Sequence, residues 1–173
     1  TLSRYQRRKE YSRFNKIVRN KSRKNYKGVI MERKGIAIAG NILTDNIKMI
    51  EDYPKKGMLV TITDQSLAIG GCVPNTGIDL KKLDKTLDVK AYGKVGNDAN
   101  GKFVLDKMSS VGMDISNVKI TDQMPTSYSD VMTVNGTGER TFFHNRGANK
   151  IFSIEDIDID SIDCKIFHIG YLL

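Results

Sequence analysis

The chain is short of the residues that metal-binding and covalent chemistry usually need. Its 173 residues include only two cysteines and two histidines. Cys72 and Cys164 are too few and too far apart for a metal cage or a disulfide framework, so we expect two buried thiols in a reducing compartment. His144 and His168 stand alone, which leaves no basis for a Ser–His–Asp nucleophile. His168 lies in an apolar run and is expected in the core. No metal site and no catalytic residue are predicted.

The sequence also lacks long apolar runs. None approaches the roughly 18 residues that a membrane-spanning helix needs, so no membrane contact is expected. The formal charge of +8 is concentrated at one end: residues 1–30 hold eleven Lys or Arg and one acid, whereas the remaining 143 residues hold 17 bases and 19 acids. Because the rest of the chain is mildly acidic, a nucleic-acid partner is not expected there.

The basic segment 1–30 has three interpretations. It could be an arm for nucleic acid or a membrane surface, a transit peptide, or upstream sequence translated in the same frame. The last is favoured because the chain opens on Thr1, while Met31 begins a segment typical of a cytosolic protein. We therefore expect residues 1–30 to be a disordered or non-native extension and residues 31–173 to form the cytoplasmic domain.

From residue 34 onward, apolar runs alternate with helical patterns. Strands are predicted at 35–39, 45–50, within 59–69, at 89–95 and at 118–120, and helices at 75–83 and 97–111. Two further strands, 126–134 and 139–145, flank Asn135-Gly136, which is a strong hairpin signal. This order predicts an α/β domain around a mostly parallel sheet, with an antiparallel piece beside it. The chain stops in an apolar run at Leu173, so we expect a fragment.

Two segments are candidates for ligand binding. The paired glycines Gly70 and Gly71 precede a helical pattern in which Pro74 favours the first turn and Asn75 can both donate and accept hydrogen bonds. Asp45 closely follows the first strand, and α/β folds place ligands where parallel strands end. The segment 96–103 nearly matches a phosphate-binding loop, but Phe103 replaces the hydroxyl that would bind magnesium. We expect instead a tight turn in which Asn97 or Asp98 caps a helix.

Together these pieces resemble the PfkB-type, ribokinase-like carbohydrate kinases. The resemblance rests on six segments in order and at matching spacing: Gly40–Asp45, Gly70–Thr76, Gly93–Asp98 with Gly101, Pro125–Ser127, Gly138–Phe142 and Gly147–Asn149. It covers the chain from residue 34 onward but only about the first half of the family's length. Ribose-specific members carry Lys and Gly after the glycine pair and Asn before the aspartate, whereas this chain has Cys72, Val73 and Leu43.

The resemblance implies a central, mostly parallel sheet flanked by helices and a small β-sheet lid, which residues 44–69 and 126–145 would supply, with the C-terminal half of the fold missing. It implies phosphoryl transfer from ATP, with Mg²⁺, to a hydroxyl of a sugar or nucleoside. By motif position, Asp45, Gly70, Gly71 and Asn75 would bind that small molecule, and the glycine pair would be the hinge of the lid. Any homodimer would form through the lid.

The family's catalytic base lies in a Gly-Ala-Gly-Asp motif that this sequence lacks. The resemblance therefore implies that ATP and Mg²⁺ are bound mainly by the missing half and that this fragment alone is inactive. Two alternatives stay open: a non-catalytic sugar-binding module that uses the same residues, and a nucleic-acid-associated protein that binds through residues 1–30.

Overall fold

The computed structural model describes residues 33–170, together with Ser12. The predicted extension, residues 1–30, therefore lies outside the described part except for Ser12. Residues 33–170 form eight strands and two α-helices, with short 3₁₀ helices between the last two strands. The strands are β1 (Ile36–Ala39), β2 (Leu43–Ile50), β3 (Ile62–Gly70), β4 (Val89–Gly96), β5 (Asp114–Thr121), β6 (Ser127–Val134), β7 (Arg140–Asn145) and β8 (Ile166–Ile169); the helices are α1 (Cys72–Leu83) and α2 (Ala99–Ser110).

The central sheet has the strand order β5-β4-β1-β8, and all of these strands are parallel. Alternate residues of β1 supply two cores because strand side chains point to opposite faces. Ile38 packs with Val73 of α1 and with Val104 of α2. Ala37 and Ala39 pack on the other face, against Tyr92 and the segment that contains the 3₁₀ helices. The predicted α/β architecture with a parallel sheet is confirmed.

The small sheet has the strand order β3-β2-β6-β7. Strand β2 is antiparallel to β3 and parallel to β6, and β6 and β7 form the hairpin predicted from Asn135-Gly136. The chain thus leaves the central sheet twice, over residues 43–70 and again over residues 127–145, and returns to it each time. The predicted antiparallel piece is confirmed as a second, separate sheet.

Helix boundaries follow local signals where those signals exist. Asp98 caps α2, its Oδ1 accepting from the Gly101 N–H at 2.8 Å, and Gly112 follows the helix with a positive φ of 83°. The prediction of a capped helix rather than a phosphate loop is confirmed. Helix α1 begins at Cys72, three residues earlier than predicted, because its first N–H groups are satisfied by a distant segment described below.

Two burial predictions were wrong. His168 is exposed, because it lies on edge strand β8 and not within the core. Cys72 is only half-buried, whereas Cys164 is buried as expected. In the described residues, no helix is both long and apolar enough to cross a membrane.

Candidate functional site

The strand order of the central sheet reverses at β1, the point where open α/β sheets have their crevice. The chain passes from β1 to β4 on one side, whereas β8 joins β1 from the other side. Ligands of open α/β sheets bind at such a reversal, beyond the carboxyl ends of the strands. Gly40 and Gly170 follow β1 and β8, and an added methyl group on Gly40 would lie 2.5 Å from Cys72 Sγ. The N-terminus of α1 therefore lies at the reversal point.

Asp45 lies against the first of the paired glycines. It is the third residue of β2, and the neighbouring Leu43 pairs with Gly70 of β3. Leu43, Asp45 and Gly70 face the same side of the small sheet because direct partners, and alternate residues of a strand, share a face. A methyl group on Gly70 would overlap Asp45 Oδ2 and lie 2.7 Å from Leu43 Cδ1. Only a residue without Cβ leaves the carboxylate in this position.

The turn into α1 depends on the second glycine and on Asn41. Gly71 has a φ of 99° and caps the helix without a side chain of its own. Asn41, which is buried, replaces that cap: its Oδ1 accepts from Cys72 N–H at 2.8 Å, and its backbone oxygen accepts from Val73 N–H at 3.3 Å. Two of the helix's otherwise unpaired donors are thereby satisfied.

Asn75 lies one turn into α1. Its side chain is exposed, and its backbone N–H donates to Gly71 O at 3.1 Å. The structure thus brings Asp45, Gly70 and Gly71 together and places Asn75 one helical turn beyond them. Their expected contacts with a substrate stay a prediction.

Asn149 connects the end of the small sheet to the segment before Asp45. Its Oδ1 accepts from Ile42 N–H at 3.1 Å, and its Nδ2 donates to Ile42 O at 3.0 Å. Its own N–H donates to Ser127 Oγ at 3.1 Å. A single buried amide therefore satisfies both backbone groups of Ile42 and fixes the path of the chain three residues before Asp45.

Asp98 joins α2 to the start of β6. Besides capping α2, its Oδ1 accepts from Thr126 Oγ1 at 2.7 Å and its Oδ2 accepts from Thr126 N–H at 2.8 Å. Burial alone raises the pKa of the Asp98 carboxyl, but the hydrogen bonds from Thr126 and Gly101 outweigh burial and hold this pKa below its usual value. The carboxylate stays ionised and holds the start of β6 at the N-terminus of α2.

Cys72 occupies the first position of α1, where a thiolate would be favoured by the helix dipole. Burial nevertheless raises the pKa of its thiol, and the hydrogen bond with Asn41 offsets only part of this effect. Burial likewise raises the pKa of Cys164. Both thiols are therefore neutral at pH 7, and Cys72 offers a small side chain and not a nucleophile at the crevice.

A groove of about 330 Å³ lies along β2 and β3, beyond Asp45. It is lined by residues of β2 and β3 and by Asn100 of α2: Asn46, Ile47, Lys48, Gln65, Ser66, Leu67 and Asn100. Lys48 forms an ion pair with Asp130 on this side. The groove includes none of the four predicted site residues, so we do not assign the substrate to it.

The sequence analysis missed two polar residues on the Asp45 side of the small sheet. Ser129 Oγ lies 3.1 Å from His144 Nδ1. The hairpin turn could have predicted this pair, because it sets the register of β6 against β7. In residues 33–170, no group of three His, Cys, Asp or Glu side chains is arranged to hold a metal ion.

Comparison with known proteins agrees with this architecture. The profile of pfkB family carbohydrate kinases matches residues 34–169. An ATP-dependent ribose-1-phosphate kinase of Halopiger xanaduensis is 28% identical over 120 residues, which cover 69% of this chain and 40% of the relative. A deoxyribokinase of Salmonella typhi is 28% identical over 132 residues, covering 75% of this chain and 42% of the relative.

Solved structures show the same fold. Ribokinase from Thermotoga maritima superposes with a TM-score of 0.70 at 18% identity, over 78% of this chain and 44% of that chain. Arabidopsis thaliana ribokinase, solved with ribose and ATP, superposes with a TM-score of 0.68 at 22% identity, over 82% of this chain and 46% of that chain. The chain thus spans less than half the length of these relatives. The match over residues 34–169 shows that the chain belongs to the pfkB family of carbohydrate kinases.

Proposed function

We propose that the chain is the substrate-binding half of an ATP-dependent kinase that phosphorylates a hydroxyl of a sugar or nucleoside. The observation that carries the proposal is the position of Asp45. Its carboxylate lies against Gly70, at the N-terminus of α1 and at the reversal point of the central sheet. A kinase relative that acts on ribose 1-phosphate and another that is a deoxyribokinase support a pentose as the sugar.

The proposed contacts follow from the chemistry of the side chains. The Asp45 carboxylate can accept charge-assisted hydrogen bonds from two vicinal hydroxyls. Gly71 has no side chain to shield its backbone from a ligand, and the exposed Asn75 amide can donate or accept. The small sheet would be the lid over this substrate, and Gly70 and Gly71 its hinge, so that closure excludes water from the phosphoryl donor.

The catalytic base and the main contacts with ATP and Mg²⁺ are assigned to the part of the protein beyond this chain. Magnesium would neutralise charge on the transferring phosphoryl group, but the described residues provide no ligand set for it. The 173-residue chain alone should therefore show only background ADP release with any sugar. The cytoplasm is the proposed compartment, in keeping with the free thiols of Cys72 and Cys164.

Sugar binding by the chain tests the proposal directly. NMR titration with ribose should shift the resonances of Asp45, Gly71 and Asn75. The Asp45→Asn variant should lose at least about tenfold in affinity, because hydrogen bonds to a charged group contribute about 1.5–3 kcal/mol. Asp122→Asn, an exposed carboxylate bonded to Asn97, is the matched control. Equal affinities of the two variants would contradict the proposal, as would turnover above background.

We also propose a homodimer through the lid. Apolar side chains are exposed along its β3 edge, namely Met58, Leu59, Ile62 and Leu67. An exposed apolar cluster of this kind marks an interaction surface. Leu67→Glu should give a monomer in analytical ultracentrifugation, whereas Ile120→Glu, at an exposed apolar position of the central sheet, should leave a dimer intact. A monomeric wild-type chain would refute the proposed dimer.

A further inference from the structure

Four side chains form one row across the small sheet. Asp45 pairs with Ala68 of β3 on one side and with Ser129 of β6 on the other, and Ser129 pairs with His144 of β7. Direct partners across a sheet point to the same face. The row therefore presents a methyl group, a carboxylate, a hydroxyl and an imidazole, in that order, to the side where Gly70 lies.

The far end of the row is arranged for hydrogen bonding. Ser129 is only 6% exposed, and its hydroxyl lies 3.1 Å from His144 Nδ1. This contact uses one ring nitrogen and fixes the orientation of the imidazole. Because His144 is exposed, its Nε2 is left to meet a ligand, as a donor or an acceptor according to the tautomer.

The length of the row exceeds a single sugar ring. Neighbouring strands lie about 4.8 Å apart, so the backbones at Asp45 and His144 are separated by roughly 10 Å. A furanose ring is only about two carbon–carbon bonds across. A pentose whose vicinal hydroxyls bind Asp45, and whose primary hydroxyl accepts the phosphoryl group, has one ring position left. That position is the anomeric carbon, and a substituent there can reach His144.

The next row indicates what kind of substituent fits. Phe142 pairs with Val131 and follows the same face of the hairpin as His144, two residues away. Val131 is buried, whereas the Phe142 ring is 58% exposed. An exposed aromatic ring beside a hydrogen-bonding imidazole suits a flat, polar group, since every nucleobase can stack on an aromatic face. A phosphate would gain nothing from the ring.

We propose that Ser129, His144 and Phe142 form a nucleobase-recognition element, so that the substrate of this site is a nucleoside in preference to a free pentose. This inference rests on the proposed function, because it assumes that Asp45 binds the sugar. His144 Nε2 contacts the edge of the base, Phe142 stacks on its face, and Ser129 is a positioning residue that acts through His144.

Ligand titrations of the 173-residue chain, followed by NMR, test the inference. The probes are adenosine, uridine, ribose and ribose 1-phosphate. At least one nucleoside should bind about tenfold more tightly than ribose. His144→Ala and Phe142→Ala should each weaken nucleoside binding about tenfold, as expected for one hydrogen bond or one stacked ring, and leave ribose binding unchanged. Ser129→Ala should broaden the His144 ring signals and weaken nucleoside binding less.

Phe143→Ala is the matched control. Phe143 is also 58% exposed and neighbours Phe142, but it points to the opposite face of β7. The Phe143→Ala variant should bind nucleosides as tightly as the wild type does. A loss of nucleoside affinity equal to that of Phe142→Ala would overturn the inference. Equal binding of ribose and nucleosides, or preference for ribose 1-phosphate, would overturn the inference while leaving the proposed kinase function intact. Failure to bind any of the four probes would overturn both.

Discussion

The Asn149 amide provides a quantitative test of how the lid is attached to the central sheet. It is 8% exposed and bonds to both the N–H and the C=O of Ile42, which is fully buried. Asn149→Leu keeps the approximate volume of the side chain but leaves two buried backbone groups without partners. Each such group costs about 1–3 kcal/mol, so the expected loss for the two groups is about 2–6 kcal/mol of unfolding free energy. This is a large share of the roughly 5–15 kcal/mol typical of a domain.

A second substitution separates the two bonds. Asn149→Asp, ionised at pH 7, can still accept from Ile42 N–H but cannot donate to Ile42 O. The Asn149→Asp variant also buries a negative charge, and this charge repels the carbonyl oxygen of Ile42. We expect it to be at least as destabilising as Asn149→Leu at pH 7 and to recover partly at pH 4, where the protonated acid donates again.

The assay is urea unfolding followed by circular dichroism, with Asn97→Leu as the control. The Asn97 amide bonds to Asp122 on the surface, so its replacement should change stability by less than about 0.5 kcal/mol. Amide exchange should also accelerate at Ile42 and Asp45 in Asn149→Leu. A loss below about 1 kcal/mol, or one equal to that of the control, would refute the view that this amide fixes the lid.

Three further predictions concern the crevice and its supports. Gly70→Ala should abolish ribose binding without altering the circular dichroism spectrum, because the new methyl group overlaps Asp45 Oδ2; Gly136→Ala, at the hairpin tip, should bind normally. The lowered pKa of Asp98 means that its ionised form stabilises the fold above the ordinary value of about 3.9 and that this contribution is lost as the pH falls through the lowered pKa. Asp98→Asn should therefore flatten the acid limb of a stability-versus-pH curve, and an unchanged limb would contradict the assignment. Burial raises the pKa of the Cys72 thiol, so less of it is present as the reactive thiolate. At pH 7.5, iodoacetamide should therefore alkylate Cys72 more slowly than it alkylates the thiol of free glutathione, as followed by mass spectrometry.

The sequence predicts best those elements whose signals are local. The hairpin follows from Asn135-Gly136, and α2 from its Asp98 cap and from Gly112 beyond its end. In each case, the residues that decide the geometry lie within a few positions of one another. The strand order was predictable only as a class, because parallel neighbours such as β1 and β8 are more than a hundred residues apart.

The errors have the opposite origin. Helix α1 begins earlier than its own residues indicate because its cap, Asn41, belongs to a segment 31 residues away. Asn149 acts across 107 residues on Ile42. Neither bond leaves a local trace in the sequence. His168 was misplaced because an apolar run predicts burial but does not reveal that the strand lies at a sheet edge.

These long-range bonds explain how the candidate site is held in place beside the proposed hinge. Asn149 bonds to Ile42, at the crossing from β1 into the small sheet, whereas Asn41 bonds to Cys72 and Val73, directly after the return crossing. Buried amides therefore hold the chain where it leaves the central sheet and where it rejoins α1. Between these two points, Gly70 and Gly71 have no side chain that restricts the backbone. A lid attached in this way would turn at the glycine pair, so that Asp45, three residues beyond Ile42, keeps its position while the rest of the lid swings.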